Sequence, residues 1–231
     1  YDPDHIFQEN VGLCSKAQFL AGPHRPDETG GLHATEAFLK PLERLAIYDA
    51  DTQPRLSLLE LNATIPEVEW ARNSRTVAIH PGSGSEQKNW PEERWMNLLV
   101  ALLNETTLQF LLVGGEAEGD RLARLQSQVS SERCVVANSF ELPELASLLR
   151  QCAAFLGHDS GITHLAAALG LPGLALWGPT NEKIWGPRSD RMKVLKPATG
   201  LHLLSVEEVF REAIAVHDLG LGQNKPGRRP T

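Results

Sequence analysis

The stretch Thr76-Val77-Ala78-Ile79-His80-Pro81-Gly82-Ser83-Gly84-Ser85 decides the fold. A short apolar run reads as a buried strand, and Pro81-Gly82 ends it. The small, hydroxyl-bearing residues that follow let backbone N–H groups approach an anion. Trp90-Pro91-Glu92-Glu93 then opens a helix. Proline is expected at its first helical position, with acids facing the positive helix start, and the helix runs to about residue 103.

The same unit recurs downstream. Strands are expected over residues 108–113 (ended by Gly114-Gly115), 134–137, 154–157, 174–177 and 192–195. Helices are expected over 118–128, 142–152 and 161–169, the last stopped by Gly170 and Pro172. Strands alternating with helices predict an α/β fold: a Rossmann-like, doubly wound parallel sheet with helices on both faces. Ser205-Val206-Glu207-Glu208 is a capping box for a final helix to about residue 217. Upstream, Gly22-Pro23-His24-Arg25-Pro26 and Gly30-Gly31 read as loops. Helical spacing covers 33–45, kinked or broken at Pro41, and 56–61 reads as a strand. The expected organisation is the incomplete end of a preceding domain at 1–72 and a nucleotide-binding domain at 73–204. A C-terminal helix at 205–219 and a disordered tail at 220–231 complete it.

Composition narrows the partners. The 231 residues are 42% hydrophobic, enough for one domain and a fraction of another. The net charge of -7 excludes a nucleic-acid partner by this reading, because no basic stripe offsets it. No apolar run approaches the roughly 20 residues of a membrane span. Arg228-Arg229 is too short a basic cluster for an anchor, so membrane association is at most peripheral. Cys14, Cys134 and Cys152 lack metal-ligand spacing and suit a reduced cytoplasmic protein. The chain starts at Tyr1, which suggests a piece of something longer. A monomer is expected.

In an open parallel sheet, ligands bind beyond the carboxyl ends of the strands. Two clusters fall there. The first is Ser83-Gly84-Ser85 with Lys88, a mobile point charge for a phosphate. A plain Gly/Ser turn with a solvated lysine is an equal reading of that cluster alone. The second is Gly157-His158-Asp159-Ser160-Gly161-Ile162-Thr163-His164. Asp159 or Ser160 caps the helix, Gly161 leaves its N–H groups uncovered, and His164 sits within the first turn. Taken singly, Asp159 reads as a helix cap and His164 as a packed histidine. Both clusters on one sheet edge point to an anion such as a diphosphate. Asp159-Ser160-Gly161 also matches a protease nucleophile tripeptide, but at a strand-to-helix turn it forms no triad. Asp49-Ala50-Asp51 reads as a polar turn rather than a metal pair. His158, Asp159 and His164 are explained without a metal. No GxGxxG follows a strand, which weakens an oxidoreductase reading.

An ordered series of motifs now becomes specific: His80-Pro81-Gly82-Ser83-Gly84, Lys88-x-Trp90-Pro91-x-x-Arg94-Trp95, Gly114-Gly115-Glu116-Ala117-Glu118, and Gly157-x-Asp159-Ser160-Gly161-x-x-His164. Pro172, Gly178-Pro179-Thr180 and Trp185-Gly186-Pro187 follow. The series resembles the carboxy-terminal domain of the ADP-heptose:lipopolysaccharide heptosyltransferase family, glycosyltransferase family 9. The resemblance covers about 75–196, and more weakly 33–61. It implies a GT-B architecture and an inverting, metal-independent sugar transfer without cofactor. The donor would be an ADP-linked sugar and the acceptor a lipopolysaccharide-core glycan or glycolipid, at the cytoplasmic side of the inner membrane. Ser83, Gly84, Ser85 and Lys88 would then contact the phosphates. Asp159, Ser160, Gly161 and His164 would contact the diphosphate and nearby sugar. Glu116 or Glu118, with Phe140, would flank the nucleoside. The family's catalytic carboxylate lies near the start of its amino-terminal domain, which no segment of this chain matches. The chain would thus bind donor without transferring sugar. A non-catalytic nucleotide-sugar or partner-binding module, and an epimerase acting on the donor, are the alternatives.

Overall fold

The computed structural model describes residues 4–57, 76–129 and 132–223. The chain divides into two compact units, one of residues 1–53 with 181–185 and one of 54–180 with 186–231. The domain boundary expected at 72/73 lies outside the described residues.

In the first unit, α1 (Ile6–Cys14) carries Phe7, which tilts against Phe19 at 6.4 Å. The helix expected over 33–45 divides into α2 (Ala34–Leu39) and a 3₁₀ turn (Lys40–Leu45). Pro41 lies in the first positions of that turn, where a missing N–H costs nothing. His33 and Glu36 form the reciprocal cap of α2. The strand expected over 56–61 lies mostly outside the described residues. Leu56 is not in a strand, and in the second unit its N–H donates to the Ala168 carbonyl.

The second unit holds the sheet: β1 (Thr76–Ile79), β2 (Gln109–Gly114), β3 (Cys134–Asn138), β4 (Ala154–His158), β5 (Gly173–Leu176) and β6 (Met192–Leu195). Each end lies within one residue of the expectation. Every pairing is parallel and the order is β3-β2-β1-β4-β5-β6. The helices between them are α3 (Glu92–Glu105), α4 (Gly119–Val129), α5 (Leu142–Leu149) and α6 (Gly161–Ala168). The short α7 (Glu182–Trp185) was not foreseen, and it groups with the first unit. There the Trp185 indole N–H donates to Glu28. Finally α8 spans Val206–Gln223. It runs past the expected end at 217, so Gly220–Gln223 belong to a helix rather than to a tail.

Burial explains the layers. β1 and β4 are buried at every position, as strands covered on both faces must be. α3, α4 and α8 cover one face, and α5 and α6 pack together by the other. Trp90, Trp95, Phe110, Leu112, Leu98 and Leu156 form the centre of the first layer. Trp90 and Trp95 meet edge-to-face at 5.3 Å. Pro91 takes extended backbone as the N-cap of α3, one position earlier than expected, and Glu92 and Glu93 occupy the first turn.

Candidate functional site

β1 and β4 are neighbours, yet their connections leave in opposite directions across the sheet. A crevice opens beyond the carboxyl ends of such a pair, where two diverging loops leave room. Here those loops are Pro81–Trp90 and Asp159–Gly161, the two clusters singled out by sequence.

Two buried histidines set the floor. The backbone N–H of Trp90 donates to His158 Nε2 at 2.9 Å. That fixes the proton on Nδ1, which faces the Gly82 carbonyl at 3.3 Å. His158 therefore ties the end of β4 to both ends of the β1 loop, and its ring meets Trp95 edge-on at 5.2 Å. Burial pushes its pKa down to about 3, so it is neutral. His80 donates from Nδ1 to the Val113 carbonyl at 2.8 Å, and burial lowers its pKa also. Both rings are structural.

The glycines separate by what surrounds them. A Cβ on Gly82 would lie 2.3 Å from Glu118 Cγ, and one on Gly157 would lie 2.8 Å from the Phe155 ring. Those two serve close packing. A Cβ on Gly84 or Gly161 would meet nothing within 4 Å. These two are exposed and border open space.

Ser160 is the N-cap of α6, and its side chain accepts from Thr163 N at 3.4 Å. That settles the capping alternative and releases Asp159. The Asp159 carboxylate pairs instead with Lys88, Nζ to Oδ2 at 2.7 Å. The same oxygen accepts the Thr180 hydroxyl at 2.5 Å. Asp159 is 9% exposed at its side chain and Lys88 30%. Lys88 carries three N–H donors, and its side chain is partly exposed beside Asp159. His164 is exposed on α6, one turn past the cap.

Beside the loop lies a bay of about 390 Å³ lined by Ser83, Gly84, Ser85, Glu118, Arg121 and neighbours. The Ser83 hydroxyl lies 2.9 Å from the Ser85 carbonyl and 2.8 Å from Asn89 Oδ1, which closes the loop on itself. Glu118 Oε2 accepts from Gly115 N at 3.0 Å. Of Glu116 and Glu118, Glu118 is the one that lines the bay, alongside Glu86 and Asp120. Glu116 is exposed, Phe140 half-buried, and neither lines it. Sequence reading missed Arg121, whose guanidinium donates to the Pro81 carbonyl at 3.3 Å and pairs with Glu86 at 3.0 Å. Its position one turn into α4 was a weak signal, since arginines on amphipathic helices are common. Thr180 was quoted as part of a motif and given no role.

The acids set aside as a turn behave as one: Asp51 Oδ1 accepts from Gln53 N. Among the described residues, no group of three or more His, Cys, Asp or Glu is placed to hold a metal ion. No helix there is long and apolar enough to cross a membrane. Burial raises the thiols of Cys134 and Cys152 to about 11 and 12, which keeps them protonated. A larger cavity of about 580 Å³ lies in the first unit, lined by Pro23, Arg25, Leu32, Lys40 and Arg44 among others. It contains none of the residues chosen from the strand ends.

The family model "Glycosyltransferase family 9 (heptosyltransferase)" matches residues 20–208. The chain belongs to glycosyltransferase family 9. Among relatives of this family 9 chain, lipopolysaccharide heptosyltransferase 2 of Salmonella typhimurium is 34% identical over 156 residues. That match covers 64% of this chain and 44% of the relative, so the chain spans about half of the relative's length. Two solved structures share the fold. ADP-heptose lps heptosyltransferase II of E. coli has a TM-score of 0.72 at 21% identity, covering 84% of this chain and 65% of that one. E. coli heptosyltransferase WaaC with ADP has 0.65 at 21% identity, covering 90% and 62%.

Proposed function

We propose that this family 9 chain grips the diphosphate of an ADP-linked, heptose-like donor for transfer to a lipopolysaccharide-core or related glycan. The observation that carries this reading is the pair of loops at the β1/β4 crevice, which bring Lys88 and the start of α6 to one place. Similar proteins support the choice of nucleotide: one is named an ADP-heptose transferase, and another was solved with ADP.

The chemistry follows from charge. In an inverting transfer an acceptor hydroxyl oxygen attacks the sugar's anomeric carbon from the face opposite the phosphate. The bond from that carbon to the phosphate oxygen breaks, and its electron pair leaves with ADP. The acceptor proton goes to a base, which we assign to no residue of this chain. Negative charge grows on the leaving oxygen. Lys88, the exposed N–H groups at Ser160–Gly161 and His164 stabilise it without a metal. Ser83, Gly84 and Ser85 hold the other phosphate oxygens. Glu118 accepts from nucleoside hydroxyls, and Phe140 offers an apolar ring to the base, with Glu116 outside the bay.

The test is transfer of labelled sugar from ADP-heptose to a lipopolysaccharide-core acceptor. It compares the chain alone with a form carrying an added amino-terminal half from a relative, each with and without chelator. Chelator-resistant, inverting transfer by the extended form and ADP binding by both are expected. Transfer that needs a divalent metal, or ADP release without acceptor, would replace this reading.

A further inference from the structure

The Lys88–Asp159 pair does not stand alone. The Asp159 oxygen that binds Lys88 is the one that accepts the Thr180 hydroxyl, at 2.7 and 2.5 Å respectively. Thr180 is held in turn, since Lys196 Nζ donates to its carbonyl at 2.8 Å and the Trp177 indole N–H reaches the same carbonyl at 3.0 Å. Lys196 directly follows β6, and Thr180 lies in the loop after β5. The loop also backs the lysine's own main chain: a Cβ on Gly178 would lie 3.2 Å from Lys88 Cα. Strand-end residues of β6, β5 and β4 thus form a chain of contacts, Lys196 to Thr180 to Asp159, that ends at the Lys88 ammonium group.

This arrangement answers an electrostatic difficulty. Asp159 is nearly buried beside the proposed site of a dianionic ligand, and a carboxylate there not paired with Lys88 would repel it. A carboxylate has a free torsion about Cβ–Cγ, and Lys88 has a long flexible stem. The Thr180 hydroxyl fixes which carboxylate oxygen faces Lys88. The ammonium group is then held in one place before ligand arrives, which lowers the ordering cost of binding.

We propose that Thr180 and Lys196 are positioning residues that hold Asp159, and through it Lys88, ready for the donor's diphosphate. This rests on the donor-site reading above. Neither residue touches the ligand, so each acts only while Lys88 is present.

The experiment is calorimetric titration of the full chain with ADP, in wild type, Thr180→Val, Thr180→Ser, Lys88→Met and the double variant Thr180→Val/Lys88→Met. Thr180→Val is expected to weaken ADP roughly tenfold, the scale of one hydrogen bond to a charged group. Thr180→Ser keeps the hydroxyl and restores affinity to within about threefold of wild type, by the same scale. In the Lys88→Met background, Thr180→Val has no further effect, because a residue acting through another is not additive with it. A merely structural threonine would give additive losses and no serine rescue, and that result overturns the proposal. Lys196→Met, at an exposed position, is the second variant if Thr180→Val does not fold, and its loss must likewise vanish without Lys88. Wild type binding ADP with Thr180→Val or Lys196→Met unchanged sinks the positioning role alone. Wild type failing to bind ADP sinks the donor-site reading and the positioning role with it.

Discussion

The loops after β1 and β4 meet at one crevice, but they are held in different ways. The β4 loop is short and its backbone is capped from within, since Ser160 caps the helix that follows it directly, while its Asp159 side chain is held by Thr180 and Lys88. The β1 loop is fastened by distant residues: His158 at Gly82 and Trp90, Arg121 at Pro81 and Glu86, and Glu118 packed on Gly82. The capped backbone of that turn survives most distant changes, and only its Asp159 side chain depends on Thr180. A loop held from three other elements fails when any of them changes, and the lysine it carries goes with it.

The largest expected effect tests the distant brace. His158 is neutral when folded, with its pKa pushed from near 6.5 down to about 3. The unfolded chain binds a proton that the folded chain refuses. The stabilisation is therefore full above about pH 6.5 and is lost as pH falls toward 3. Linkage over that interval is worth roughly 3–5 kcal/mol. His158→Gln has an oxygen for the Trp90 N–H and an N–H for Gly82, without titrating. Its urea-unfolding stability is expected to fall less steeply with acid than wild type's. Equal slopes would mean that His158 is solvated or charged in the fold.

The next comparison sets the packing glycines against the open ones. Gly82→Ala and Gly157→Ala meet side chains at 2.3 and 2.8 Å, and overpacking of that kind costs about 1–3 kcal/mol. Gly84→Ala and Gly161→Ala meet nothing, so melting should be almost unchanged while ADP affinity drops. Equal destabilisation at all four positions would erase the distinction between floor and site.

A similar loss is expected in binding rather than stability. Lys88→Ala is predicted to weaken ADP by about 1–3 kcal/mol, the range of a charge-assisted hydrogen bond, with the fold intact. Calorimetry at fixed salt reads it, and unchanged affinity removes Lys88 from the site. Smaller still is Arg121→Met, which frees one carbonyl and the ion pairs with Glu86 and Glu92. It should lower stability by roughly 0.5–1.5 kcal/mol and weaken ADP a few-fold. A tenfold or greater loss of ADP affinity would make Arg121 a ligand contact instead.

Much of this was legible in the sequence, for identifiable reasons. Strands such as Thr76–Ile79 are buried on both faces and show as unbroken apolar runs between Gly and Pro stops. The clusters at the strand ends followed from the rule for parallel sheets. Pairings over long separations were not legible. Nothing local in Lys88 or Asp159 announces a partner 71 positions away, the difference of their numbers. The acid expected beside a nucleoside stayed open between Glu116 and Glu118, and of the two only Glu118 lines the bay next to the β1 loop and accepts from Gly115 N. α7 has only four residues, too few for a helical period to appear. Pro91 and the end of α8 moved because caps depend on backbone angles and packing that composition does not carry.

The central claim is that this sheet edge binds a nucleoside diphosphate through Lys88 and the start of α6. Titration of the chain with ADP in the presence of a chelator tests it most directly, with adenosine as the control. The account predicts saturable one-site binding of ADP that survives chelation and far exceeds that of adenosine. Equal affinity for the two, or ADP binding that appears only with a divalent metal, would contradict it.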